Sequence, residues 1–135
     1  MQIAAIHHVS LTVTDLERSR SFYRDILGLD EITRPPFNFP GAWFQIGATQ
    51  HLHLIVHANS TFRHKPLDTR DLHFAVRVTS YQDTVDFLHS QGFSEEAALD
   101  DPHRMIVQPY ATAGFPQIYI RDPDRHIIEL NAEKL

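Results

Sequence analysis

Residues 8–13 read His8-Val9-Ser10-Leu11-Thr12-Val13, and residues 73–78 follow the same pattern as His73-Phe74-Ala75-Val76-Arg77-Val78, at an offset of 65 positions. Each block alternates apolar residues with other residues at the period of a half-buried β-strand. A pattern that returns at a fixed offset indicates two copies of one structural design. We therefore interpret the chain as two related halves.

A helix signal follows each of the two blocks. In the first half, Thr14-Asp15-Leu16-Glu17 matches a capping box, with Thr14 as the N-cap residue and Glu17 reaching back to it. In the second half, Ser80 begins the same pattern. Gly28 and Gly92 are typical of residues that end a helix. The apolar stripes of the two helices are Leu16, Tyr23, Ile26 and Leu27, and then Tyr81, Val85 and Leu88.

Further strand-like segments follow each helix, at 31–34, 42–46 and 50–56, and again at 105–108, 117–120 and 126–130. Each half is therefore predicted to be a β-α-β-β-β module, and the chain to have an α+β fold. We interpret residues 1–135 as a single domain, with module one at 1–57, a linker at 58–70 and module two at 71–135. One module cannot cover its own sheet, so two must pair, within one chain or by exchange between two chains.

The composition excludes several classes of function. The chain has 135 residues, of which 42% are hydrophobic and 21% charged, as in an ordinary globular protein. It has no cysteine, so any metal must be held by His, Asp or Glu. A net charge of -5 without a basic run argues against nucleic acid as a partner. We expect no membrane partner and a cytoplasmic location, because neither a signal peptide nor a membrane-spanning run is evident.

Strand parity places four candidate metal ligands on one kind of face. Side chains of a strand alternate between its two faces. Residues 9, 11 and 13 form the apolar set of the first strand, and residues 72, 74, 76 and 78 that of the fifth. The candidates His8, His53, His73 and Glu129 have the opposite parity and occupy repeat-equivalent positions. Two curved mixed sheets built in this way would enclose a metal-binding cleft.

Neutral imidazole and carboxylate groups suit one divalent ion of the Ni, Zn, Co, Mn or Fe type. An ion with four protein ligands keeps open positions for adjacent substrate oxygens, and Glu129 is also the candidate general base. His51 and His57 share the parity of His53, so either of them is an alternative to it. His7 has the parity of the buried set and is interpreted as structural. Candidate substrate-binding residues are Thr12, Trp43, Gln45, Arg77, Gln117 and Tyr119.

Three stretches of the chain carry a resemblance to a known family: residues 6–16, residues 21–29 and Arg121-Asp122-Pro123-Asp124 leading to Ile128-Glu129-Leu130. They resemble the vicinal oxygen chelate superfamily, which includes glyoxalase I, extradiol dioxygenases, fosfomycin-resistance transferases and bleomycin-resistance proteins. The resemblance implies metal ligands at the first and last strands of each module, which here are His8, His53, His73 and Glu129. It also implies a homodimer that acts on a small-molecule substrate. The aromatic segment 37–43 and the loop 108–116 would form the rim of the pocket.

Two departures from the family pattern affect these expectations. Bacterial glyoxalase I usually has Glu at the position of His53, so the bound ion would keep a larger positive charge here. Arg125 stands where the family usually has Gly after Asp122-Pro123-Asp124. The sequence of this segment favours a type I turn with Pro123 at its second position, in which Arg125 would be tolerated at a modest cost.

Three functions are compatible with these residues. The first is a glyoxalase I-like lyase or isomerase that uses all four ligands. The second is a dioxygenase or fosfomycin-type thiol transferase, which needs only His8, His73 and Glu129. The third is a metal-free small-molecule binding protein of the bleomycin-resistance kind, which typically lacks the ligand set that this chain retains. We expect the first.

Overall fold

A computed structural model describes residues 1–57, 59 and 62–135 of the chain. These residues form two α-helices and eight β-strands. In chain order they are β1 His8–Val13, α1 Leu16–Asp25, β2 Glu31–Ile32, β3 Gly41–Ile46, β4 Gln50–Val56, β5 His73–Arg77, α2 Tyr81–Ser90, β6 Ile106–Gln108, β7 Gln117–Arg121 and β8 Ile127–Asn131. The predicted β-α-β-β-β order is therefore confirmed in both halves, and the fold is α+β.

The strands form two four-stranded mixed sheets of the same topology. The first sheet has the order β1-β4-β3-β2 and the second the order β5-β8-β7-β6. In each sheet the first and last strands of the half are parallel neighbours, and the other pairs are antiparallel. The chain divides into two compact units, Met1–Phe62 and Arg63–Leu135. Each unit contains one sheet and one helix.

Helix α1 contacts β3 and β4 of the first sheet. Its buried Tyr23 lies in the same apolar core as Phe44, Leu52 and Leu54. Alternation in β1 follows the expected parity, since Val13 is buried whereas His8, Ser10 and Thr12 are exposed. The predicted stripe of α2 is likewise confirmed: its three apolar residues, Tyr81, Val85 and Leu88, are all buried.

Three expectations about individual residues are wrong. The N-cap of α1 is Asp15, whose side chain accepts a hydrogen bond from the Arg18 backbone N–H at 3.0 Å, while Thr14 accepts one from the Arg18 side chain. Leu72 precedes β5 and is exposed, because the alternation begins only at the strand itself. His7 is exposed as well, since it precedes β1. The predicted cap Ser80 of α2 is confirmed.

The segment interpreted as a linker differs in its two parts. Ala58, Ser60 and Thr61 lie outside the described residues. Residues 63–70 belong to the second unit, where buried Leu67 packs with Tyr119 and Ile127. The Arg63 backbone N–H also donates to the Asp124 carbonyl at 3.1 Å. Within the described part of the chain, neither helix is long and apolar enough to cross a membrane.

Candidate metal centre

His53 lies between two other rings in the first unit. β4 pairs with β1 and β3 so that Ser10 and Trp43 are its cross-strand neighbours. The His53 imidazole stacks on Trp43 with centroids 4.0 Å apart and planes at 4°, and on His8 at 4.3 Å and 16°. The parity of β1 and β4 thus brings two of the predicted ligands into direct contact.

The environment of His53 favours a neutral ring with a free nitrogen. Burial lowers the pKa of His53 to about 4, and the charges of His8, His51, His7 and Arg34 act in the same direction. The imidazole is therefore neutral at pH 7 and can act as a ligand. Its Nε2 atom is buried and has no hydrogen-bond partner among the described residues. A buried nitrogen of this kind fits coordination to a cation, because an unsatisfied polar atom is otherwise costly.

Two further histidines lie beside this stack. The Nδ1 atoms of His7 and His8 are 2.9 Å apart, and the His7 ring is 5.5 Å from that of His51. His51 Nδ1 is buried and, among the described residues, has no hydrogen-bond partner. The interpretation of His7 as a residue of the buried core therefore gives way to a surface position in contact with a predicted ligand.

In the second unit, His73 and Glu129 form the corresponding pair. His73 Nε2 lies 3.4 Å from Glu129 Oε2. His73 Nδ1 is 2.8 Å from the Asp71 carbonyl oxygen, which can only accept a hydrogen bond, so Nδ1 carries the proton in that contact. In a neutral ring this leaves the Nε2 lone pair facing the carboxylate. Such backbone contacts orient metal-binding histidines, and a cation between the two groups would satisfy both.

Three side chains hold the Glu129 carboxylate in place. Gln117 and Asn131 donate to its Oε1 at 3.1 and 2.7 Å, and the Tyr119 hydroxyl donates to Oε2 at 2.9 Å. Burial opposes ionisation of Glu129, but these hydrogen bonds outweigh it, and the pKa of Glu129 lies below its usual value. Burial and the bond to Glu129 raise the pKa of Tyr119 to about 12, so Tyr119 stays a donor.

Sequence reasoning did not identify Asn131 and Asp71. Asn131 has the same parity as Glu129, two residues further along β8, and that parity is a signal that could have found it. The Asp71 contact uses a backbone oxygen, which no residue-type pattern reveals. Three other predicted pocket residues differ in their surroundings. Thr12 is exposed, and the Gln45 amide donates to the Gly47 and Gln50 carbonyls. The Arg77 guanidinium lies 5.1 Å from the Phe115 ring.

One pair of predicted ligands thus belongs to each unit. Among residues 1–57, 59 and 62–135, no group of three or more His, Asp or Glu side chains is placed so that it could hold a metal ion. The nearly parallel planes of His8 and His53 explain part of this result. A lone pair of imidazole lies in the ring plane, so two stacked rings do not point at one ion until one of them turns. The donor types, the free His53 Nε2 and the oriented His73 nevertheless fit a divalent cation.

A family model identifies the family of the chain, and further comparisons find proteins that are similar to it. The family model of the Glyoxalase/Bleomycin resistance protein/Dioxygenase superfamily matches residues 5–130. The chain is 26% identical over 132 residues to glyoxylase I 4 of Arabidopsis thaliana, covering 96% of this chain and 71% of that protein. A glyoxalase family protein from Bacillus anthracis superposes with a TM-score of 0.77 at 25% identity, covering 99% and 98% of the two chains. The fosfomycin resistance protein FosX from Listeria monocytogenes superposes with a TM-score of 0.67 at 20% identity, covering 99% of this chain and 97% of that one.

Proposed function

The chain belongs to the glyoxalase/bleomycin resistance protein/dioxygenase superfamily, and from this premise we propose that it is a divalent-metal-dependent lyase or isomerase of the glyoxalase I type. Its ligands would be His8, His53, His73 and Glu129, and its substrate a small molecule with adjacent oxygens. The observation that carries the proposal is the pair His73–Glu129, in which an oriented imidazole and an ionised carboxylate lie 3.4 Å apart.

A divalent ion bound by these side chains would act as a Lewis acid toward the adjacent oxygens of the substrate. Glu129 would accept the proton from the carbon next to the carbonyl group, because it is ionised and lies within the site. Gln117 and Asn131 hold Oε1 while Tyr119 donates to Oε2, so the carboxylate keeps one orientation. Fixed orientation lowers the entropic cost of proton transfer.

The first test combines metal content with proton exchange. We expect about one ion of Ni, Zn, Co, Mn or Fe(II) per chain by elemental analysis, and a loss of that ion in both His8→Ala and Glu129→Ala. Metal-loaded protein should exchange the C–H hydrogens of dihydroxyacetone, which has adjacent oxygens, with deuterium from solvent, as measured by NMR. Glu129→Gln should abolish this exchange with an unchanged circular dichroism spectrum. Full exchange in Glu129→Gln would remove Glu129 from the mechanism.

The stacking of His8 on His53 favours a second candidate. If only one ring of the stack binds the ion, the ligands reduce to two histidines and one carboxylate, a set that suits Fe(II). The chain would then be a dioxygenase or a fosfomycin-type thiol transferase. His53→Ala separates the two: retained metal points to the second candidate, and lost metal points to the first. Protein that takes up no ion would instead be a metal-free binding protein of the bleomycin-resistance kind.

We also propose that the protein is a homodimer. Mixing two inactive variants, His8→Ala and Glu129→Gln, tests whether ligands from two copies form one site. If they do, a mixed dimer contains one intact ligand set and regains part of the activity. No recovery in a mixture that is shown to exchange subunits means that each chain supplies its own complete set.

A further inference from the structure

A continuous series of rings leads from the surface of the first unit to His53. Phe37 and Phe39 stack with centroids 5.1 Å apart, Phe37 lies 6.1 Å from Trp43, and Trp43 stacks on His53. We call Phe37, Phe39 and Trp43 the aromatic strip. Phe37 is 46% exposed and Phe39 37% exposed, although both are large and apolar. Flat apolar surface is therefore accessible beside a candidate metal ligand.

The Arg34 guanidinium is held against this strip. Its Cζ lies 4.8 Å from the ring centroids of both Phe37 and Phe39, and its Nη2 donates to the Phe39 carbonyl at 2.9 Å. A Cβ atom at Gly41 would lie 2.5 Å from the Leu54 carbonyl oxygen and 3.1 Å from the Arg34 Cζ, so glycine lets both groups approach this point of the backbone. Arg34 is thereby fixed by cation–π contacts and one hydrogen bond.

The positive charge of Arg34 has no counter-ion in the described part of the chain. No carboxylate of those residues forms an ion pair with it, and its buried Nε has no hydrogen-bond partner there. A guanidinium among apolar rings is poorly solvated, and a carboxylate is the group whose geometry matches its planar donors. The region thus combines an unpaired cation with exposed flat rings.

We propose that the aromatic strip and Arg34 bind a small aromatic carboxylate, with its ring on Phe37 and Trp43 and its carboxylate at Arg34. This inference rests on the proposed function and deepens it, because it names aromatic acids with adjacent oxygens and a removable C–H hydrogen as the substrate class. Such molecules combine a planar ring, a carboxylate and adjacent oxygens. The probe benzoylformate lacks the removable hydrogen and can only bind. If the rings served only to pack their own loop, Phe37 and Phe39 would gain most from being buried, whereas both are exposed.

The test compares three probes by isothermal titration calorimetry on protein of measured metal content. Benzoylformate has the ring and the carboxylate, pyruvate has a methyl group in place of the ring, and 1-phenyl-1,2-propanedione lacks the carboxylate. We expect benzoylformate to bind about tenfold more tightly than either of the others, from one ring contact and one charged pair. Trp43 is the single tryptophan of the chain, so quenching of its fluorescence by benzoylformate places the ligand beside it.

Two variants test separately the ring contact at Phe37 and the carboxylate contact at Arg34. Phe37→Leu should weaken benzoylformate about three- to tenfold and pyruvate by less, since the ligand ring loses its contact while Phe39 and its carbonyl still hold Arg34. Arg34→Gln should weaken both acids and spare the neutral diketone. Phe87→Leu is the matched control, because Phe87 is 40% exposed on α2 of the second unit and should have no effect. Equal affinity for pyruvate and benzoylformate, or a Phe37→Leu variant that behaves like Phe87→Leu, overturns the inference even if Arg34→Gln fails to fold.

Metal content separates this inference from the proposed function. Protein that binds one ion per chain but does not distinguish benzoylformate from pyruvate overturns the aromatic-acid site and leaves the metal-dependent enzyme standing. Protein that takes up no ion, yet binds benzoylformate through Phe37 and Arg34, supports the site and overturns the proposed enzyme.

Discussion

Arg125 occupies a left-handed backbone conformation, with φ at 70°, directly after Asp122-Pro123-Asp124. Its N–H donates to the Asp122 carbonyl at 2.9 Å, which closes the turn before β8. A side chain in this conformation costs about 1 kcal/mol or more, a penalty that glycine avoids. We expect Arg125→Gly to raise the free energy of unfolding by about 1 kcal/mol in urea denaturation. The Arg125 side chain also donates to the Asp100 carbonyl. Arg125→Ala is the control, because it loses that hydrogen bond, as Arg125→Gly does, but keeps a Cβ atom. An equal gain in both variants would contradict the explanation by strain.

Tyr119 tests how far the surroundings of Glu129 control metal binding. Tyr119→Phe removes the hydrogen bond to Oε2 and leaves the ring in its buried place. Partners that orient a ligand are typically worth about ten- to a hundredfold in metal affinity, so we expect a loss of about tenfold in a competition titration with a chelating dye. Tyr110→Phe, at an 87% exposed position, should match the unchanged protein. An unaltered metal affinity in Tyr119→Phe would mean that Gln117 and Asn131 suffice to orient the Glu129 carboxylate.

At the scale of the secondary-structure elements, the start of α1 distinguishes two neighbouring residues. Asp15 caps the helix through the Arg18 N–H, whereas Thr14 contacts only the Arg18 side chain. Loss of a cap costs about 1 kcal/mol, so Asp15→Ala should lower the free energy of unfolding by that amount and Thr14→Ala by much less. Ser80→Ala, at the cap of α2, should resemble Asp15→Ala. Chemical denaturation of the three variants measures this ranking, and a larger effect at Thr14 would restore the capping box.

The order of the elements could be predicted from the sequence because alternation and helical spacing are local signals. The same signals fail at boundaries. Thr14 and Asp15 are both good caps, and only the backbone angles at Asp15, which are those of an extended residue, decide between them. His7 has the parity of a buried residue but precedes β1, so the alternation does not apply to it. Parity also cannot reveal that His8 and His53 stack, since ring orientation depends on rotamers.

For the whole chain, the start of the second unit at Arg63 has a measurable consequence. Leu67 lies in a segment that reads as a linker, yet it is buried against Tyr119 and Ile127, and Arg121 donates to the Lys65 carbonyl at 3.0 Å. We expect Leu67→Ala to lower the free energy of unfolding by about 2–3 kcal/mol, as for a core leucine. Leu99→Ala, at a 68% exposed position, should change it little. Equal, small effects in urea denaturation would return this segment to the role of a linker.

The sequence predicts which residues of the two halves are candidate ligands, but not how their side chains are arranged. The offset of 65 positions identifies His8 and His73 as equivalents, and parity adds Glu129 and His53. Spacing alone does not pair Gln117 and Tyr119 with Glu129, because those two bonds form between β7 and β8 once the register is set. The sequence marks segment 37–43 as aromatic, but it does not reveal that Arg34 packs against Phe37 and Phe39, since that contact depends on side-chain orientation.

The parallel pairing of the first and last strands of each unit bears on how the chain is made. His8 lies opposite His51 and His73 opposite Ile127, so each sheet closes only when residues far apart in sequence meet. Such long-range pairing is slow, and closure of each sheet should limit the folding rate of its unit. About 70 residues separate β4 from β8, so β4 can leave the ribosome and the first sheet can close before β8 is made. A nascent chain would then present His8 and His53 to cellular metal before Glu129 has been synthesised.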